Sequence, residues 1–204
     1  MDLRQTWGDY RVVLASASPR RRELLEQVGI EPDIRPSRME ERAKEKKPDM
    51  VVMELSRRKA EEIASGCCKG TMVIGADTVV AVGGEILGKP GTPMRAYEML
   101  EKIQGRTHQV YTGVTVLLCQ GEERHHGITF AERTDVHVYP MTPEEMKEYA
   151  QCEEPLDKAG AYGIQGRFAA YIRGIDGDYT NVVGLPVGRL YQEIKRLLED
   201  REDD

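Results

Sequence analysis

Cysteine is scarce and badly placed for chemistry. Cys67, Cys68, Cys119 and Cys152 form no CxxC pair and no ligand spacing of the zinc type. Vicinal Cys67 and Cys68 cannot easily bridge each other, because a disulfide needs facing side chains on Cα atoms roughly 4.4–6.8 Å apart. A zinc ribbon and a disulfide-stapled miniprotein are therefore excluded, and reduced thiols in a cytoplasmic protein are the expectation. Long apolar runs are missing as well. The stretch around Val12–Ala15 is far shorter than the roughly 18–20 residues of a membrane helix, and the first residues lack a signal-peptide core. There is no excess of positive charge: 29 Lys plus Arg against 35 Asp plus Glu leave a formal charge of −6. Without a global basic field no polymeric nucleic acid is expected as partner, and a ligand carrying phosphate must be met by a local cluster.

What is present suffices for a folded core. The chain has 204 residues, 40% of them apolar, which is room for one or two compact domains. Arg11–Ala15 (RVVLA) reads as a buried strand, and Ser18-Pro19 opens a helix that Gly29 closes. Residues 35–49 mix both charges with little apolar content, which predicts a solvated or mobile segment that could act as a binding flap. Met50–Ala64 is helical by spacing, with Lys59 four residues from both Leu55 and Ile63 on the inward face.

Thr71–Val82 is a long strand, Gly83-Gly84 a turn, Glu85–Leu87 a short return, and Thr92-Pro93 a helix start running to Gly105. Strands follow over 109–118 and 128–138, then a capping-box helix from Thr142 to near Cys152 and a constrained loop over Asp157–Gly166. A strand over Ala169–Ile175, a last helix from Pro186 to about Leu198 and a frayed acidic end at 199–204 complete the chain. Helices and strands alternate without a fixed period, which predicts an α/β fold with a mixed twisted sheet and flanking helices.

The chemistry concentrates at a few positions. Arg20, Arg21 and Arg22 occupy the first turn of a helix, where the macrodipole disfavours each cation by about 0.3–1 kcal/mol. A polyphosphate would offset that cost, since backbone N–H groups, the Ser16 and Ser18 hydroxyls and the guanidinium forks would converge on its oxygens. The plainer alternative is three arginines pointing to water. Successive residues cannot all face one site, so at most two take part.

Asp77 is the most informative residue, because an ionised carboxylate in an apolar strand is costly unless it is paired or binds a cation. Metal ligand, general base and buried ion pair are all open. Lys89, in the GKP that follows the return strand, could supply the pair or reach a phosphate. Lys59 alone could simply snorkel, but with Arg20, Arg21 and Lys89 it makes a cationic set drawn from three separate elements.

Two patterns are set aside. RELLEQVGI at 22–30 approaches the tail of the Nudix hydrolase box, yet Leu14 and Gln27 stand where its metal-binding glutamates belong. The adjacent pairs His125-His126 and Cys67-Cys68 have diverging side chains unsuited to one metal.

With these residues identified, the sequence resembles the Maf family, also called septum formation inhibitor proteins. LASASPRRRELLEQVGI at 14–30, SRRKA at 56–60, GADTVV at 75–80, LGKP at 87–90, THQVYTGV at 107–114, EPLDKAGAYGIQG at 154–166 and NVVGLP at 181–186 are similar to family blocks in the family's order. The resemblance implies one Maf-like domain over 1–204, of a fold akin to inosine triphosphate pyrophosphatase, with two lobes around a central cleft. It implies metal-dependent cleavage of a nucleoside triphosphate to the monophosphate and pyrophosphate, with Mg2+ or Mn2+ as cofactor. The catalytic aspartate falls on Asp77, and the phosphate-binding residues on Ser16, Arg20, Arg21, Lys59 and Lys89. A metal-proximal glutamate falls on Glu41, with Glu40 beside it as the alternative, and Asp77 is its partner toward the metal.

The resemblance further points to the group acting on dTTP and UTP, with Arg20, Thr78 and Gln165 on its specificity positions and CTP or modified pyrimidine nucleotides as further substrates. Asp77 and Thr78 would face opposite sides of a regular strand, so both serve one cleft only if the strand ends or bulges there. Two alternatives stand: the N7-methyl-GTP-type pyrophosphatase, and a non-catalytic nucleotide sensor acting in septum formation. The expected partner is the triphosphate, not a membrane; whether the chain forms a homodimer is left open.

Overall fold

The computed structural model describes residues 7–121 and 124–200. It contains a seven-stranded sheet with flanking helices. Strand β1 (Arg11–Leu14) leads to helix α1 (Pro19–Gln27), the two-residue strand β2 (Asp33–Ile34) and helix α2 (Pro48–Ala64). Strand β3 (Thr71–Val82) returns as β4 (Glu85–Leu87) before helix α3 (Pro93–Ile103). The long strands β5 (Thr107–Gly121) and β6 (Arg124–Val138) precede helix α4 (Pro143–Ala150), two 3-10 turns at Ala159–Ala161 and Arg167–Tyr171, and β7 (Ile172–Asp176). Short helix α5 (Tyr179–Val183) and helix α6 (Val187–Glu199) end the described chain. No helix among the described residues is long and apolar enough to cross a membrane.

The strand order is β2-β1-β3-β5-β6-β7, with β4 paired to β3. Strand β1 runs parallel to β2 and β3, whereas β3–β4 and β6–β7 are antiparallel. The sheet is therefore mixed, as the combination of hairpin and crossover signals in the sequence requires.

The chain forms two compact units from interleaved segments. Among the described residues the first comprises 7–77, 112–121, 124–131 and 184–200, the second 78–111 and 132–183. In the first, Val13, Ala15, Ala60, Ala64, Val73 and Leu117 form an apolar cluster under α2. Helix α2 approaches closely because glycines receive it: a Cβ on Gly75 would lie 2.3 Å from the Ser56 carbonyl oxygen, and one on Gly113 2.2 Å from that of Val52. In the second, Leu100, Ile103, Val136, Tyr149, Tyr162 and Phe168 belong to a larger core.

Several sequence expectations meet local corrections. Ala169–Tyr171, expected as strand, belongs to the 3-10 turn, and β7 begins only at Ile172. Ser18 stands at the α1 N-cap without a side-chain capping bond; its own N–H donates to Ser16 Oγ (3.3 Å). The capping box at Thr142 and Glu145 is formed. Of the acidic end, residues 201–204 lie outside the described residues.

Candidate active site

In the first unit, β3 carries Asp77 outward from a wholly buried run, and α2 lays Lys59 against it. The close approach at Gly75 decides this: Ser56 and Ala60 pack on the bare glycine backbone, so Lys59, between them on the next part of the helical turn, reaches Asp77. Lys59 Nζ donates to Asp77 Oδ1 (2.5 Å) and to Glu41 Oε1 (2.7 Å). Both Lys59 and Asp77 side chains are only 11% exposed, whereas Glu41 is 52% exposed. The stem of Lys59 does not snorkel to water, and its ammonium sits between two carboxylates. Glu40 turns instead to Arg42 (2.8 Å), so of the two adjacent glutamates Glu41 is the one in the cluster.

Segment 35–47 is irregular and largely exposed, as its composition predicts, but it is tied down. Three α2 residues spaced four apart hold it. Glu62 accepts from Ser37 Oγ and from the Arg38 N–H (3.1 Å), Arg58 donates to the Arg42 carbonyl (2.5 Å), and Glu54 accepts from the Lys44 and Glu45 N–H groups (2.9 and 3.1 Å). The backbone donors on Glu54 hold its carboxyl below its ordinary pKa. Sequence reading found the helix but not this stripe, although its four-residue spacing opposite a charged segment was a usable signal.

The three arginines of α1 separate by direction. Arg22 pairs with Glu26 on the exposed face (3.4 Å), and Arg20 is half-buried. Arg21 is buried: it donates to Ser16 Oγ, to the Ala76 carbonyl and to the Gly184 carbonyl, each at 2.9 Å. Burial lowers its guanidinium pKa, with Arg20 adding to the effect and the charges of Asp77 and Glu41 opposing it. Arg21 thus ties the start of α1 to the residue before Asp77, and the two carbonyls it uses carry no side-chain signal in the sequence.

In the second unit, Thr78 is half-buried on β3, which runs on to Val82. Lys89 is exposed in the turn after β4, and Gln165 is exposed in the loop before Arg167. Histidines 125 and 126 are exposed on β6, all four cysteines are unpaired, and no group of three His, Cys, Asp or Glu suited to a metal occurs among the described residues.

This arrangement can be set beside known proteins. The Maf-like protein family profile matches residues 11–197. The chain belongs to the Maf family. It is 52% identical to a dTTP/UTP pyrophosphatase of Agathobacter rectalis, covering 92% of this chain and 97% of that protein. It is 50% identical to one of Lachnoclostridium phytofermentans over 92% and 95% of the two chains, and 43% identical to one of Bacillus cereus over 91% and 95%. Among solved structures this Maf-family chain is similar to a HAM1 protein from Coxiella burnetii, with a TM-score of 0.50 at 13% identity over 94% of this chain and 99% of that one. That likeness concerns the fold, an α/β architecture shared across very different sequences.

Proposed function

We propose that this chain is a metal-dependent pyrophosphatase that hydrolyses dTTP and UTP to the monophosphate and pyrophosphate, the activity for which its Maf-family relatives are named. The observation that carries the proposal is the Lys59 ammonium held between the Asp77 and Glu41 carboxylates, at 2.5 and 2.7 Å, in the same unit as the arginine-rich start of α1. Two hard carboxylates that already converge on one cation suit Mg2+ or Mn2+, with water and phosphate oxygens completing the set. When bound, the ion would neutralise charge on the triphosphate and acidify a water.

The chain's own groups do the rest. The N-terminus of α1, Arg20, Ser16, Lys59 and Lys89 take the phosphate oxygens, and Arg21 holds the α1 start in place while adding its charge. Asp77 orients a water for in-line attack and receives its proton as the new P–O bond to the α phosphorus forms and the bond to pyrophosphate breaks. Gln165, whose amide both donates and accepts, suits the O4 and N3–H edge shared by thymine and uracil. Arg20 and Thr78 assist in selecting the nucleoside. Four unpaired cysteines support a cytoplasmic location.

The purified protein with Mg2+ or Mn2+ is expected to release pyrophosphate from dTTP and UTP and to lose this activity on addition of EDTA. Orthophosphate only, or no product, from a panel that includes N7-methyl-GTP would overturn the assignment. Tight nucleotide binding without turnover would favour a sensor instead.

A further inference from the structure

The loop that carries Gln165 closes on its own first residue. Glu154 Oε1 accepts the Tyr149 hydroxyl (2.8 Å), Oε2 accepts the Arg167 N–H (3.1 Å), and the Glu154 carbonyl accepts from Lys158 Nζ (2.6 Å). One carboxylate therefore joins the entry and exit of the loop and anchors both to Tyr149 of α4.

Gly166 records how tightly this is built. Its φ of −99° and ψ of −156° suit any residue, yet an added Cβ would lie 2.1 Å from Glu154 Oε1. The position is glycine because the carboxylate fills the side-chain space. Beneath the loop, Tyr149, Phe168 and Tyr162 form a chain of ring contacts at 5.2 and 4.8 Å, and the Tyr162 hydroxyl meets buried His108 Nε2 at 2.8 Å. Two backbone bonds then leave the loop for the turn after β4: Gly160 N–H to the Gly88 carbonyl and Gly91 N–H to the Leu156 carbonyl, both 3.1 Å. They bracket Lys89.

We propose that Glu154 is a positioning residue that fixes Gln165 relative to Lys89, so that base and polyphosphate are read by one rigid element. This rests on the assignment of Gln165 to the base and Lys89 to phosphate made above. A carboxylate suits the position because two donors from different parts of the chain approach its two oxygens. Glutamine offers one acceptor and presents an NH2 to the other donor.

The test uses the full chain with Glu154→Gln, Glu154→Ala, Gly166→Ala and the Glu154→Ala/Gly166→Ala double variant. Amide hydrogen exchange over residues 163–167, read without nucleotide, should quicken by about tenfold or more in Glu154→Ala, less in Glu154→Gln. The KM for dTTP should rise by a similar factor with a smaller change in kcat, and the preference for dTTP over GTP should shrink. Gly166→Ala should reproduce these effects by displacing the carboxylate. The double variant should be no worse than either single one, which a merely destabilising glycine substitution would not produce.

Unchanged exchange in Glu154→Ala overturns the proposal. So does faster exchange with unaltered KM and selectivity. If Gln165→Ala still alters selectivity in that case, base reading stands and only the positioning role is wrong; if it too is silent, the assignment of Gln165 falls with it.

Discussion

At the residue scale, Asp77 shows what a sequence can and cannot say. A carboxylate in an apolar strand announces that it is paired, but Lys59 and Lys89 were equally eligible partners until the fold brought Lys59 to 2.5 Å. The pairing sharpens what Asp77→Asn should do to stability. Breaking a buried ion pair ordinarily costs about 3–5 kcal/mol. Lys59 retains Glu41 at 2.7 Å, so we expect a loss of about 1–3 kcal/mol in thermal or urea unfolding. A loss at the upper figure of the ordinary range would mean that Glu41 does not compensate. Gln165→Ala should weaken discrimination of dTTP against GTP by about 1–3 kcal/mol in the ratio of kcat/KM values, and an unchanged ratio would move base selection elsewhere. Arg21 stood among the candidate phosphate ligands, but its buried tie lay beyond sequence reading for a physical reason: its partners are a hydroxyl and two backbone carbonyls, which no residue pattern reveals. Glu154 stood in a recognised block, but its role depends on a loop geometry that only coordinates contain.

At the scale of elements, long periodic segments were legible and short or tied ones were not. The apolar run and length of Thr71–Val82 and the capped start of α3 match the observed elements, because strong local signals and tertiary packing agree there. Strand β2 has two residues and α5 five, too few for any period to show. Segment 35–47 looked mobile from composition; its order comes from Glu54, Arg58 and Glu62 on another element. The contact of α2 with β3 at Gly75 is the joint on which the site depends. Gly75→Ala would press a methyl against the Ser56 carbonyl, 2.3 Å away, and force the helix outward. We expect a stability loss of about 1–3 kcal/mol together with a fall in turnover, measured by unfolding and by pyrophosphate release. Full activity in a normally stable Gly75→Ala protein would show that the helix need not sit so close.

At the scale of the molecule, the resemblance implied one domain of two lobes, and the chain forms two compact units made of interleaved segments. The α/β class and mixed sheet were readable from the order of elements. The boundaries of the two units were not, because β3, β5 and β6 each give residues to both, and composition does not change along a continuous strand. Stability of the whole should depend on pH through His108. Burial lowers its imidazole pKa from 6.5 to about 4. Between those values the unfolded chain binds the proton and the native one does not, so stability rises with pH across this window. It is full above pH 6.5 and declines as pH falls toward 4, by at most about 3 kcal/mol from this group. The melting temperature should therefore drop more steeply between neutral and acidic pH in the wild type than in His108→Gln; parallel profiles would remove His108 from the account.

The central claim is that Asp77, with its cation and Glu41, is where the triphosphate is cut. The rate of pyrophosphate release from saturating dTTP by folded Asp77→Asn tests it most directly. The account predicts a fall of roughly 100-fold or more with dTTP still bound, since the amide keeps the shape but cannot take the proton. A folded Asp77→Asn protein that releases pyrophosphate at close to the wild-type rate would contradict it.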